Sequence, residues 1–185
     1  MHIYLIRHGE STGDLEDRYG GDYDDHLTER GRSQAQALAE SLVGKGIEAL
    51  FVSPLHRASE TGEIVAAQIG LKPITLADLR ERNSYGRVTG LVKSEAQKNF
   101  PEIVVSLADP TATVEGAEPY DQFIIRVAKT MTELASQPYQ IIAILTHGGF
   151  IRGFYRSVLD QGELAQVGDC TVIELGHQKG TWVTQ

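Results

Sequence analysis

Residues 2–11, HIYLIRHGES, open with an apolar run that stops at Arg7-His8-Gly9. HIYLI, residues 2–6, reads as a strand, and reactive polar groups follow it without a spacer. The same arrangement recurs twice. ALFVS, residues 49–53, is a short buried strand ending at Ser53-Pro54, with Arg57 one turn further on. IIAILTH, residues 141–147, is another, ending at Thr146-His147-Gly148. Helical patterns lie between these strands. Thr28 is placed to cap a helix in which Ala35, Leu38, Ala39, Leu42 and Val43 recur at helical spacing, with Gly44 and Gly46 ending it. Ser53-Pro54 reads as a capping hydroxyl followed by proline at the first helical position, opening a helix that stops near Gly70. PITL, residues 73–76, is a third strand. Phe123, Ile124, Val127, Met131 and Leu134 mark a long amphipathic helix over residues 120–136, GGFIRGFYRSVL forms the next, and CTVIEL and TWVT are closing strands. Residues 9–26 carry too little pattern for a core element, and residues 80–119 read as loop with a short helix near 93–100.

Alternating strands and helices predict an α/β fold, a three-layer α/β/α sandwich around a mostly parallel central sheet. No repeat, low-complexity segment or linker divides the chain, so residues 1–185 are expected to form one domain with a short cap region at about 83–120. Ligands of open α/β sheets bind beyond the carboxyl ends of the strands. The three polar clusters are therefore expected to face one cleft.

The 185 residues are 41% hydrophobic and 23% charged, as in an ordinary globular protein. Apolar runs are too short to cross a bilayer, and the N-terminus lacks the parts of a secretory signal. With one cysteine, Cys170, no intrachain disulfide can form, and a reducing, cytoplasmic address is expected. A net charge of −8 without a basic stripe argues against nucleic acid and anionic membrane as partners. A small anionic molecule remains open, because a few converging arginines dominate the field inside a dry cleft. A homodimer also remains open.

His8 is the candidate nucleophile. A neutral imidazole attacks phosphorus competently, provided a hydrogen bond to its other ring nitrogen fixes the tautomer; a backbone carbonyl would suffice. Gly9 would let the chain turn and a ligand come close. Arg7 and Arg57 offer planar forks for a phosphoryl group, and His147 could donate to the same oxygens. Gly148 and Gly149 open a helix whose N-terminus favours an anion. His2, His26, His56 and His177 lack a ligand pattern such as HExxH, so neither a metal nor another cofactor is expected. Cys170 reads as a small buried hydrophobe. Arg82, Arg87, Lys93 and Lys98 either are solvated or read a second anionic group on the substrate.

LIRHGES at residues 5–11, SPLHRASET at 53–61 and LTHGGFIR at 145–152 resemble, in order and spacing, the three signatures of the histidine phosphatase superfamily, which includes phosphoglycerate mutases and many small-molecule phosphatases. The segment RYGG…LTERGRSQA between the first two is similar as well. The resemblance implies a phosphoglycerate mutase-like fold and a phosphorylated His8, with Arg7, Arg57 and His147 around the phosphate. It also implies Glu81, in LRER, as proton donor to the departing alkoxide and later as base for water. Four positions depart from the family pattern. Asp14 stands near the phosphate where asparagine is usual, and one extra residue separates Glu81 from YGRVTG at 85–90. Thr89 replaces a common glutamate, and Pro119 a common serine.

The expected activity is metal-independent hydrolysis of small phosphate monoesters through phosphohistidine. Phosphoglycerate mutase activity is the rival within the enzyme class, disfavoured by the short 83–120 region. A non-catalytic pseudo-phosphatase that only binds phosphorylated ligands is the rival outside it.

Overall fold

The three apolar runs lie side by side at the centre of one sheet. In the computed structural model, which describes residues 1–164 and 167–184, six strands run in the order β3-β2-β4-β1-β5-β6. They are β1 (His2–Arg7), β2 (Ala49–Val52), β3 (Pro73–Thr75), β4 (Ile141–Thr146), β5 (Val172–Gln178) and β6 (Thr181–Thr184). β1 to β4 are mutually parallel, while β5 and β6 join as antiparallel strands beyond β1.

Strand side chains alternate between two cores, which is why the runs are apolar throughout. Ile3, Leu5, Phe51, Ile142 and Ile144 face one layer, where they meet Phe123, Val127, Met131 and Leu134 of α6 (Tyr120–Ala135) and Phe150, Ile151 and Phe154 of α7 (Gly148–Ser157). Tyr4, Ile6, Leu50, Val52, Ala143 and Leu145 face the other, against α2 (Glu29–Leu42) and α3 (His56–Ile69). The α/β/α sandwich is therefore observed.

Several local readings hold. Thr28 accepts the Gly31 N–H at 2.9 Å, α2 buries Ala35, Leu38, Ala39 and Leu42, and Gly44 and Gly46 follow it with φ of 74° and 71°. Val43 is corrected: it is the C-cap of α2 and stands exposed. The Ser53-Pro54 helix opening is corrected too. α3 begins at His56 behind an extended Leu55, and the Ser53 hydroxyl is engaged elsewhere. Residues 9–26 hold the short α1 (Thr12–Leu15), capped by Ser11 and Asp14 reciprocally. Residues 83–119 hold α4 (Lys93–Asn99) and α5 (Pro101–Ser106); the second went unread because it is one and a half turns with no buried residue. None of the described helices is long and apolar enough to cross a membrane.

Register puts the clusters together. Arg7 of β1 pairs with Thr146 of β4, and Val52 of β2 pairs with Leu145. The next residue of each strand is thus His8, His147 or Ser53, at the same carboxyl edge. The His8 N–H donates to the Thr146 carbonyl at 3.1 Å, and the Ser53 N–H to the Leu145 carbonyl at 3.0 Å. Gly9 lies there too, for a reason other than the expected sharp turn. A Cβ on it would stand 2.6 Å from the Gly31 carbonyl oxygen, so its smallness lets the start of α2 pack against the nucleophile strand.

Candidate active site

A cleft of about 400 Å³ lies over this edge, lined by Arg7, His8, Asp14, Arg57, Glu81 and Gly148 among others. His147 closes the floor beneath, fully buried, with its ring centroid 5.1 Å from that of His8. Arg7, His8, Asp14, Arg57, Glu81, His147 and Gly148 are therefore brought to one place, whereas Arg87 and Lys98 do not line the cleft.

His8 is buried, and its Nδ1 lies 2.7 Å from the Gly9 carbonyl oxygen. A carbonyl only accepts, so Nδ1 carries the proton and Nε2 keeps its lone pair. The Arg57 Nε–H points at that lone pair from 3.1 Å. Burial first, then the charges of Arg57 and Arg7, hold the His8 pKa well below the ordinary imidazole value. His8 is thus a neutral imidazole with a fixed tautomer.

Arg57 is buried and held from three further sides. Nη1 donates to the Tyr23 carbonyl at 2.6 Å and to Asp25 Oδ1 at 2.8 Å, and Nη2 to the Gly21 carbonyl at 2.7 Å. Asp25, also buried, uses Oδ2 to accept the Gly13 N–H at 2.7 Å. Residues 20–25 are therefore the socket of Arg57. The sequence reading missed Asp25, which sits in an acidic GDYDDH run that looks like any solvated loop.

His147 is engaged through its Nε2. Its Nε2 lies 2.6 Å from Ser53 Oγ, which accepts the Leu55 N–H at 3.3 Å. With the hydroxyl donating to Nε2, the imidazole proton sits on Nδ1. Among the described residues Nδ1 is buried without a partner. Burial first, then the charges of neighbours, Arg57 foremost and Arg7 among them, hold the His147 pKa well below its ordinary value as well.

Glu81 reaches the cleft through a well-anchored approach. The Thr146 hydroxyl donates to the Leu79 carbonyl at 2.7 Å. Arg126 Nη1 donates to the carbonyls of Asp78 and Arg80 at 2.8 and 3.0 Å, while its charge is met by Glu118. Glu81 itself accepts the Arg82 N–H through Oε1 at 2.9 Å and the Gly149 N–H through Oε2 at 2.7 Å. The anion at the start of α7 is thus this carboxylate. A Cβ on Gly149 would stand 2.5 Å from it, which explains the glycine.

Arg7 donates to the Val167 carbonyl at 2.7 Å and pairs with Asp169 at 3.3 Å and Asp14 at 3.4 Å. Asp14 is chiefly a helix cap: its Oδ2 accepts from the Ser11 amide and hydroxyl at 3.2 and 3.0 Å. Arg82 is not solvated, and it lines the cleft. It is buried and donates to the carbonyls of Glu118, Pro110 and Ala112, fastening the cap region to Glu81's neighbour. Arg87 pairs with exposed Glu115 and Lys93 with Asp17. Cys170 is half-buried, and burial pushes its thiol up to about 12, consistent with an inert side chain.

Residues 3–185 match the sequence family described as histidine phosphatase superfamily, branch 1. A phosphoglycerate mutase-like protein of Arabidopsis thaliana is 36% identical over 159 residues, covering 83% of this chain and 69% of its own. A metal-independent phosphoserine phosphatase of the same plant is 30% identical over 190 residues, covering 98% and 78%. Among solved structures, YhfR of Bacillus stearothermophilus superposes with a TM-score of 0.89 over 99% of this chain and 94% of its own; at 24% identity it shows a shared fold.

Proposed function

Because this chain belongs to the histidine phosphatase superfamily, we propose that it hydrolyses small-molecule phosphate monoesters through a phosphohistidine at His8, without a metal ion. The observation that carries the reading is the His8 imidazole: buried, uncharged, protonated on Nδ1 by the Gly9 carbonyl contact, with its Nε2 lone pair facing the cleft's guanidinium.

An incoming phosphoryl group takes the Arg57 Nε–H from His8 Nε2 and so frees that lone pair. Nε2 then attacks phosphorus, the P–O bond to the alcohol breaks, and Glu81, which has taken the proton of the ester monoanion, passes it to the departing alkoxide. Arg7 and Arg57 hold the non-bridging oxygens, and the unpartnered His147 Nδ1–H donates to one of them. In the second half, water loses a proton to the Glu81 carboxylate and attacks phosphorus. The P–N bond breaks and inorganic phosphate leaves. The guanidiniums and the His147 N–H supply charge stabilisation that a metal supplies elsewhere.

Hydrolysis is favoured over mutase chemistry because residues 83–119 contribute only the short helices α4 and α5 as cover, while a mutase must keep water from its phosphoenzyme. The phosphatase name of the 30% identical plant relative supports the same reading. A cytoplasmic address belongs to it as well, supported by the single cysteine. The test is hydrolysis of p-nitrophenyl phosphate in EDTA. Turnover that survives chelation supports the proposal; strict dependence on added Mg²⁺ or Zn²⁺, or binding of phosphate with no turnover of any ester, refutes it.

A further inference from the structure

Arg7 faces two carboxylates. Its Nη1 donates to the Val167 carbonyl at 2.7 Å and lies 3.3 Å from Asp169 Oδ1, while Nη2 lies 3.5 and 3.4 Å from Oδ1 and Oδ2 of Asp14. Arg57, by contrast, meets one carboxylate, Asp25, and is otherwise held by carbonyls. The mechanism above uses Arg7 to hold phosphoryl oxygens. A phosphate dianion entering the cleft therefore meets an anion already lying against its receptor.

That anion is fixed in place. Asp14 stands at the third position of α1, where its Oδ2 accepts from the Ser11 amide at 3.2 Å and from the Ser11 hydroxyl at 3.0 Å, and its own N–H donates to Ser11 Oγ at 3.3 Å. The side chain cannot swing aside for a ligand without breaking the cap. Both cap contacts fall on Oδ2, so among the described residues Oδ1 has only Arg7 Nη2. Asp14 is 41% exposed on the cleft wall, which His8 and Arg7 also line. The cap explains the oxygen but not the charge. An asparagine could accept both Ser11 contacts on its one oxygen and would put an NH2 donor where Oδ1 now stands. What the charge adds is repulsion of any second anion a few ångströms away, in a cleft only partly open to water.

We propose that Asp14 is a resident competitor of the phosphoryl group for Arg7 Nη2, the residue that keeps the site's hold on inorganic phosphate weak. Ester and product meet the same repulsion, but the ester adds the contacts of its alcohol half, so the product is the ligand left loosely held. Turnover then continues as phosphate accumulates. The inference rests on the phosphatase reading above and adds the control of product release to it.

The test titrates inorganic phosphate against p-nitrophenyl phosphate hydrolysis and measures its Kd separately by calorimetry on the same proteins. Asp14→Asn keeps the cap oxygen and loses the charge. It should lower both the Ki and the Kd of phosphate by about tenfold or more and leave urea unfolding unchanged. A gain in affinity is a result that damage to the cap would not produce. Asp14→Ala, studied well below its Tm, lacks both the charge and the amide donor and should still tighten phosphate, though less. Tightening in Asp14→Asn alone would credit the new amide rather than the lost charge and overturns the inference. Phosphate binding that is unchanged or weaker in both variants also overturns it, and leaves the phosphatase reading intact where the wild type hydrolyses the ester. No hydrolysis of any ester by the wild type overturns the phosphatase reading itself and this inference with it.

Discussion

Asp25→Asn probes how the active-site arginine is held. The Arg57–Asp25 pair is almost fully withdrawn from water, with side chains 5% and 3% exposed and a contact of 2.8 Å. Removing the charge of one partner from a buried pair typically costs about 3–5 kcal/mol, since the other charge stays behind. Two carbonyls, of Tyr23 and Gly21, continue to solvate Arg57, which places the cost near the lower end. The amide adds a geometric conflict. Asp25 accepts from Arg57 on one oxygen and from Gly13 on the other, whereas asparagine offers one oxygen and one donor. Whichever way it turns, one donor meets another. We expect a loss of about 3 kcal/mol in urea unfolding, or about 6–12 °C in Tm for a chain of this size. Well below the new Tm, kcat/KM should fall by about a hundredfold, because Arg57 loses the group that aims it at His8. Glu115→Gln serves as control: it breaks an arginine contact of 3.1 Å that is exposed on both sides and should change neither quantity measurably. An Asp25→Asn protein that unfolds within 0.5 kcal/mol of wild type and keeps its turnover would refute the assignment of residues 20–25 as the arginine's socket.

His8→Ala should abolish turnover and the acid-labile phosphoenzyme in rapid-quench experiments with labelled ester; label trapped on any other residue would end the His8 assignment. Glu81→Gln should slow alkyl phosphates strongly and p-nitrophenyl phosphate mildly, since only the poor leaving group needs a proton. The amide must also break one of the two contacts to the Arg82 and Gly149 amides, so the ratio between the two esters is the diagnostic, and equal losses would move the acid elsewhere. Stability should decline as pH falls through about 6.5, because His8 and His147 stay neutral in the fold, by burial and by neighbouring arginines, while the unfolded chain takes up both protons. The slope should approach ~1.4 kcal/mol per pH unit per histidine down to the depressed folded pKa values. Replacing His8 with Gln should halve it in urea unfolding at pH 7.5 against pH 5.5, and an unchanged slope would mean that His8 takes up its proton as readily in the fold as in the unfolded chain.

What the sequence displays and what it hides follow from the range of the contacts involved. His8, Ser53 and His147 are legible as one site because each directly follows an apolar run, and parallel register converts that local fact into proximity. Glu81 has no such marker; only its resemblance to a family motif finds it, because its position depends on Thr146 and Arg126, 65 and 45 residues away along the chain. Asp25 and Arg82 were invisible as structural residues for the same reason. A carboxylate in an acidic run and an arginine in a charged run look solvated until the fold supplies a buried partner or a set of carbonyls. Ser53 was misread by a local rule. A serine before a proline satisfies the pattern of a helix start, yet the hydroxyl is used by His147, and the helix waits until His56.

The charge balance of the cleft follows from how these arginines are held. A chain of net charge −8 places six cationic side chains around its cleft, Arg7, Arg18, Arg57, Arg82, Lys93 and Arg152, against the three carboxylates Asp14, Asp25 and Glu81. Mobile surface lysines could produce the same count, but they would have to be ordered at the moment of binding, at a cost in side-chain entropy. Here the two most buried arginines are ordered beforehand by neutral backbone carbonyls: Gly21 and Tyr23 for Arg57, and Glu118, Pro110 and Ala112 for Arg82. A carbonyl fixes a guanidinium without cancelling its charge. Asp25 cancels one charge at Arg57, and the Nε–H facing His8 and one Nη2–H are the donors left to meet the phosphoryl group. Donors fixed in this way need no reorganisation as charge develops on the transferring group, the condition under which electrostatic stabilisation contributes most.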